Sequence, residues 1–322
     1  MGASNKVVIT GASSFIGYHL AQQFAGAGYD VTGTITRPLE DYRDIQRERL
    51  AEIVRSGSTL APVDITDAPA LDILIQEIQP SIWIHHAGWA EHYGSLDYDL
   101  TRAEVVNVAP LESLYRSLKA NGCQGVIVTG SSAEYSDSDL ACSESDACYP
   151  AMPYGLSKLA ETIRAGQLAK IYNLPTRVAR VFIPYGPLDA PGKLLSSVVK
   201  SLGNHEKIGL SPCTQKRDFL HVHDLAAGYL ALADDLARPS LFDIFNLCSG
   251  TATRIKDLLL SIADIMRADT QLLDFGNREM RAGETPVSYG SAEKARKNLN
   301  WNPRPLAGGL SSYLLETGTV SR

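Results

Sequence analysis

The stretch "PYGLSK" places Tyr154 four residues before Lys158, and on a helix that spacing brings both side chains to one face. An ammonium beside a phenol favours the tyrosinate, so such a pair can act as acid or base at a substrate oxygen closer to neutral pH than an isolated tyrosine. The run "GVIVTGSSAEY" ends in hydroxyls, and Ser131 or Ser132 there can hydrogen-bond the oxygen that gains or loses the proton. Each feature alone is weak. Y-x-x-x-K pairs recur on ordinary helix surfaces, and a serine at that position can simply cap the next turn.

A third feature makes the set more specific. "VVITGASSFIGYHL" reads as a strand, a glycine turn and a helix, with Gly11 making the tight turn and Gly17 letting the helix pack closely. A pyrophosphate on such a helix N-terminus meets free N–H groups and the positive end of the helix dipole. The middle position needs only a small side chain, which Ser14 supplies, and Ser13 and Ser14 add hydroxyl donors. Phe15 and Ile16 complete the cofactor-binding turn. The second strand ends "VTGTITRP", with Thr34, Thr36 and Arg37 where an NAD site would carry an acidic residue. Arginine suits a 2′-phosphate, so NADP(H) is favoured over NAD(H), and a solvated loop arginine is the plain alternative.

The elements that would position these groups are written as alternating strands and helices. "KVVITG", "DVTGTIT", "IWIHHAG" and "GVIVTGSS" are almost continuously apolar, as buried parallel strands are, and helical stretches lie between them. The expected fold is α/β, a Rossmann-type doubly wound parallel sheet with a smaller C-terminal substrate-binding domain. Residues 1–180 are expected to form the NADP-binding domain, with return segments near 219–250. Residues 181–322 form the interleaved smaller domain.

Composition bounds the partners. With 44% hydrophobic and 20% charged residues and a net charge of -6, the 322-residue chain has no nucleic-acid or anionic-membrane signature. No leader pattern precedes Val7 and no apolar run is long enough to span a bilayer, which predicts a cytoplasmic protein. The five cysteines, an odd number without paired metal spacing, read as reduced thiols. "HHAG" and "HVHD" read as hydrogen-bonding histidines, so no metal is expected. Trp89, His92 and Tyr93 follow a cofactor strand and either line a sugar pocket or pack.

In these motifs, and in "VDITD", "NVAP", "RVFIPYGP", "RDFLHVHD", "FNLCSG" and "NWNP", the chain resembles the extended short-chain dehydrogenases/reductases over nearly its whole length. The resemblance is to the branch acting on nucleotide-linked sugars. It implies that Asp64 and Ile65 border the adenine and that Ala87 with Gly88 lies along the cofactor. It makes Ser131 the catalytic serine, counted back from Tyr135, with Ser132 a near substitute that also borders the substrate. Tyr154 and Lys158 match the catalytic pair, and Lys158 also reaches the nicotinamide ribose. Arg217 and Arg281 match two arginines that contact the substrate diphosphate; either can instead be a structural ion pair, with Asp218 or Glu284 nearby.

Departures matter too. Ile183 stands where many members carry Asn. Ser132 and Ala133 replace the acidic pair of dehydratases and Glu134 is one residue out of register, which argues against dehydration. The resemblance therefore implies NADPH-dependent reduction of a keto group, at C4, on a CDP- or GDP-linked 6-deoxyhexose. The alternatives are an NAD-dependent epimerase and a non-catalytic cofactor sensor. The expected partners are a nucleotide-diphosphate sugar and a second copy of the chain. The homodimer would form through helices beginning near Asn107 and Tyr154, using Leu111, Leu114, Leu118 and Leu159.

Overall fold

The β-branched runs form a single seven-stranded sheet in a computed structural model that describes residues 5–280 and 284–320. Across the sheet the order is Phe242–Leu247, Thr176–Val181, Gly125–Ser131, Ile82–His85, Lys6–Ile9, Asp30–Ile35, Thr59–Pro62. Every neighbouring pair is parallel. Both faces are covered, which is why the strands are apolar at successive positions. Val7 and Ile9 join one buried cluster while Val8 between them joins the other, and Val126, Ile127 and Val128 alternate in the same way.

On one face the helices Phe15–Gly26 and Val222–Asp235 cover the sheet through Leu20, Phe24, Tyr229 and Leu232. On the other, the helices Ala68–Ile78, Leu111–Ala120 and Pro153–Ile171 do so through Ile75, Leu114 and Leu168. Beyond the sixth sheet strand the chain builds a separate buried cluster from the helices Leu194–Gly203, Ile255–Met266 and Leu306–Glu316. The same stretch sends the helix Val222–Asp235 and the strand Phe242–Leu247 back to the sheet.

One expectation needs correction. Leu111, Leu114 and Leu118 are 0%, 2% and 0% exposed, packed against the sheet rather than facing outward. Their 3–4-residue spacing is the core-facing stripe of an amphipathic helix. The apolar side chains exposed on this flank are instead Val105, Leu156 and Ile163. The helix also starts later than Asn107: a π-helical turn, Glu104–Val108, precedes it. Among the described residues, no helix is long and apolar enough to cross a membrane.

Candidate active site

Parallel pairing brings the C-terminal ends of the strands to one edge, and the sequence-nominated groups collect there. The strand Lys6–Ile9 runs into the glycine turn. A Cβ on Gly17 would lie 2.3 Å from the Gly11 carbonyl oxygen, so only glycine allows the helix to approach this closely. Ser14 is the N-cap of the helix Phe15–Gly26 and accepts the Gly17 N–H at 3.0 Å. Its hydroxyl also lies 2.9 Å from His86 Nε2. The Phe15 and Ile16 N–H groups open the first turn of that helix, where backbone donors have no intrahelical partner. Ser13 contributes its carbonyl, which accepts from Arg49 Nη1 at 3.0 Å. This turn fits the pyrophosphate of a dinucleotide.

Around the turn, the Gly11 N–H donates to Thr34 Oγ1 at 3.3 Å, and Thr34 is buried. Arg37 is exposed at the end of the second strand, its guanidinium 4.4 Å from the Tyr42 ring centre. The Asp64 carboxylate accepts from the Thr66 N–H and hydroxyl at 2.8 and 2.7 Å, while Ile65 beside it is buried. The N–H groups of His86 and Ala87 both donate to Thr10 Oγ1 at 2.8 Å. Gly88 lies against Asn107, whose amide oxygen accepts the Trp89 N–H at 2.7 Å.

The second wall is the helix Pro153–Ile171. Its first turn presses on the turn after the strand Gly125–Ser131, and a Cβ on Gly155 would lie 2.0 Å from the Ala133 carbonyl oxygen. That contact sets Tyr154 beside Ser131, near enough for the serine hydroxyl to favour the tyrosinate. Ser131 also caps the turn Ser132–Glu134: its Oγ accepts the Ala133 N–H, and its own N–H donates to Glu134 Oε1 at 2.8 Å. Ser132 faces a different space, a cavity of about 210 Å³ shared with Arg217, Phe182 and Ile183. Arg217 Nη2 lies 3.1 Å from Glu284 Oε1, the neighbour weighed as its structural partner. Arg281 lies outside the described residues.

The phenol does not stand nearer neutrality as the Tyr–Lys spacing predicts. Burial raises its pKa above the ordinary tyrosine value, outweighing the opposing pull of Lys158 and of the Ser131 hydrogen bond. Glu161 adds a smaller upward push: Lys158 Nζ donates to Glu161 Oε2 in a buried ion pair.

Further groups crowd this pair. Tyr98 and Tyr93 place their rings 5.6 and 5.7 Å from that of Tyr154, edge to face, and Tyr98 also bonds Ser157 Oγ at 3.1 Å. Glu134 is fully buried, with Oε2 accepting from Arg180 Nε at 2.9 Å. Glu161 was legible only as a third position on the Tyr–Lys face of the helix. Away from this edge, donor atoms of His221, His223 and Glu316 lie within 4.8 Å of one another, a grouping the "HVHD" spacing does not announce because Glu316 comes from the last helix. His221 Nδ1 accepts the His223 N–H at 3.3 Å, which leaves the proton of a neutral ring on Nε2, facing Glu316. Nε2 lies 3.8 Å from Glu316 Oε2, too far for a hydrogen bond, and is buried without a partner.

Comparison with known proteins gives the family and the fold. The NAD dependent epimerase/dehydratase family matches residues 7–248. UDP-glucose 4-epimerase 2 of Arabidopsis thaliana is 25% identical, over 94% of this chain and 91% of its own. GDP-6-deoxy-D-mannose reductase of Pseudomonas aeruginosa is 24% identical, over 93% and 92%. The crystal structure of UDP-glucose 4-epimerase with UDP-glucose from Thermotoga maritima superposes with a TM-score of 0.83 at 20% identity, covering 97% of this chain and 98% of that one. The chain belongs to the NAD dependent epimerase/dehydratase family and is an NAD(P)-dependent enzyme of the extended short-chain dehydrogenase/reductase type.

Proposed function

We propose that the protein reduces a keto group, at C4, of a nucleotide-activated 6-deoxyhexose with NADPH, in a cleft between residues 1–180 and the interleaved residues 181–322. The observation that carries the choice of reduction is the end of the second strand, where Arg37 and Tyr42 take the place of a carboxylate that would bind an unphosphorylated ribose. Net reduction consumes NADPH, so a site selective for the phosphorylated cofactor fits a reductase better than an enzyme that recycles bound NAD.

When bound, the nicotinamide cofactor supplies the hydride. The chain's own groups do the rest. Tyr154 donates its phenolic proton to the substrate oxygen, and Ser131, beside that phenol, holds the same oxygen. Lys158 stabilises the tyrosinate left behind and reaches the ribose. Arg217 takes the diphosphate after exchanging its contact with Glu284, with Arg281 as the second cation. Both oxygens of Glu134 are committed to Ser131 and Arg180, which supports reduction over dehydration.

The second reading is a 4-epimerase that keeps its NAD, favoured by the names of several relatives. One experiment separates them: identify the copurifying nucleotide, then follow NADPH oxidation with a panel of 4-keto sugar nucleotides linked to CDP, GDP or UDP. Stoichiometric oxidation with any of them supports reduction. Interconversion of UDP-hexoses with no net cofactor consumption replaces it with epimerisation.

A further inference from the structure

Tyr154, Lys158 and Glu161 fall at positions i, i+4 and i+7 of the helix Pro153–Ile171, stacked on one face. Lys158 and Glu161 are 7% and 1% exposed, and the ammonium donates to Glu161 Oε2. The other carboxylate oxygen faces His85 Nε2 at 3.9 Å, and both ring nitrogens of His85 are buried without a partner. A lysine that served only to stabilise tyrosinate would work best with its charge unopposed. Here a carboxylate in contact with it offsets part of its field.

We propose that Glu161 is a positioning residue for the Tyr154–Lys158 pair: it anchors the Lys158 ammonium and, by its own charge, sets how much positive charge Tyr154 experiences. The inference rests on reading Tyr154 and Lys158 as the reacting pair. With Glu161 ionised, its charge offsets part of the ammonium's pull on the buried phenol, which keeps its proton and remains a donor. With that charge removed, the ammonium stands unbalanced and the tyrosinate is favoured.

The surrounding groups leave Glu161 as the variable charge. Burial lifts its carboxyl to about 7, against the pull of Lys158. From the fourth sheet strand, His85 is held neutral, its pKa lowered to about 3 by burial and then by Lys158. Tyr115 and Tyr229, from the flanking helices, are raised by burial, as is Tyr98 from the loop. Glu134, in the turn after the fifth sheet strand, is paired with Arg180.

The test is a tyrosinate absorbance titration without substrate or cofactor, with the Tyr154 signal isolated by subtracting the matching Tyr154→Phe protein. In Glu161→Gln the Tyr154 midpoint should fall by about one pH unit or more, roughly tenfold in ionisation constant. An unchanged or higher midpoint overturns the proposal. Should Glu161→Gln fail to fold, Glu161→Asp withdraws the carboxylate by one methylene and should give a smaller fall; a midpoint equal to wild type overturns it. Because turnover is not read, the two ideas fail separately. Full activity in Tyr154→Phe would sink the functional reading, whereas an unshifted titration beside an inactive Tyr154→Phe would sink only the role of Glu161.

Discussion

Ser14, His86, Thr129 and Tyr229 form a chain of neutral hydrogen bonds across the strand ends, at 2.9, 3.1 and 2.7 Å. Beside it, Lys158 with Glu161 and Arg180 with Glu134 form buried ion pairs. The first wall is built from backbone geometry and uncharged groups; the second is built from charged ones. A neutral wall suits a pyrophosphate whose charge is constant through the working range. A charged wall suits a step in which a proton changes place, and removing one partner there leaves an uncompensated buried charge.

The largest effect should come from the charged wall. Tyr154→Phe removes the proton and keeps the ring, so turnover should fall by roughly 10²–10⁴-fold, the usual contribution of a general acid. Cofactor affinity, measured by fluorescence titration, should barely move because the grip lies on the other wall. Lys158→Met should impair both turnover and cofactor binding, since one side chain serves both. Near-normal reduction of every 4-keto sugar tested by Tyr154→Phe would erase the distinction between the walls.

The neutral wall should betray itself in acid. Burial, with Lys158 adding to it, lowers the His86 pKa from 6.5 to about 4. The unfolded chain therefore binds a proton between those values that the folded chain refuses, and stability is lost as pH falls through that window. His86→Asn keeps hydrogen-bonding groups without the titration. Denaturant midpoints should show wild type losing ground to His86→Asn, by up to a few kcal/mol, as pH drops from 6.5 to about 4. Parallel pH dependence in both proteins would mean that His86 is free to charge.

Arg37 sharpens the same comparison at a place where the cofactor wall carries an exposed positive charge. Arg37→Ala should weaken NADP binding roughly ten- to hundredfold, the range for a charge-assisted contact of about 1.5–3 kcal/mol, while sparing NAD. Equal losses for both cofactors would remove the basis for preferring NADP.

The two walls were not equally legible. The glycine turn is contiguous from Val7 to Leu20, and its strand–turn–helix pattern needs no distant partner to be read. The sheet was legible for a related reason, because buried parallel strands are apolar at consecutive positions. The charged wall draws His85, Glu134, Glu161 and Arg180 from four elements, and nothing local distinguishes them from surface charges. Helical spacing predicted that Lys158 shares a face with Tyr154, yet it could not say which anion would claim the ammonium. Leu111, Leu114 and Leu118, assigned to an interface, failed on direction: periodicity identifies a stripe but not whether it meets the sheet or a second subunit.

That correction leads to the smallest expected effect. If two copies associate through this flank, the contact must use the side chains left exposed on it: Val105, Leu156 and Ile163, at 47%, 48% and 54%. A charge at Ile163 would be solvated in a monomer but desolvated and unpaired in a self-complementary interface. Ile163→Glu should therefore convert a dimer to monomer in light scattering at micromolar concentration while leaving the monomer's melting temperature unchanged. Turnover should change little, because Ser131, Tyr154, Lys158 and Arg217 all come from one chain. A wild-type protein that is already monomeric, or an Ile163→Glu protein that stays dimeric, would remove this face from consideration. Dissociation with a large loss of turnover would show instead that the charged wall, which shares its helix with Ile163, depends on the second copy for its alignment.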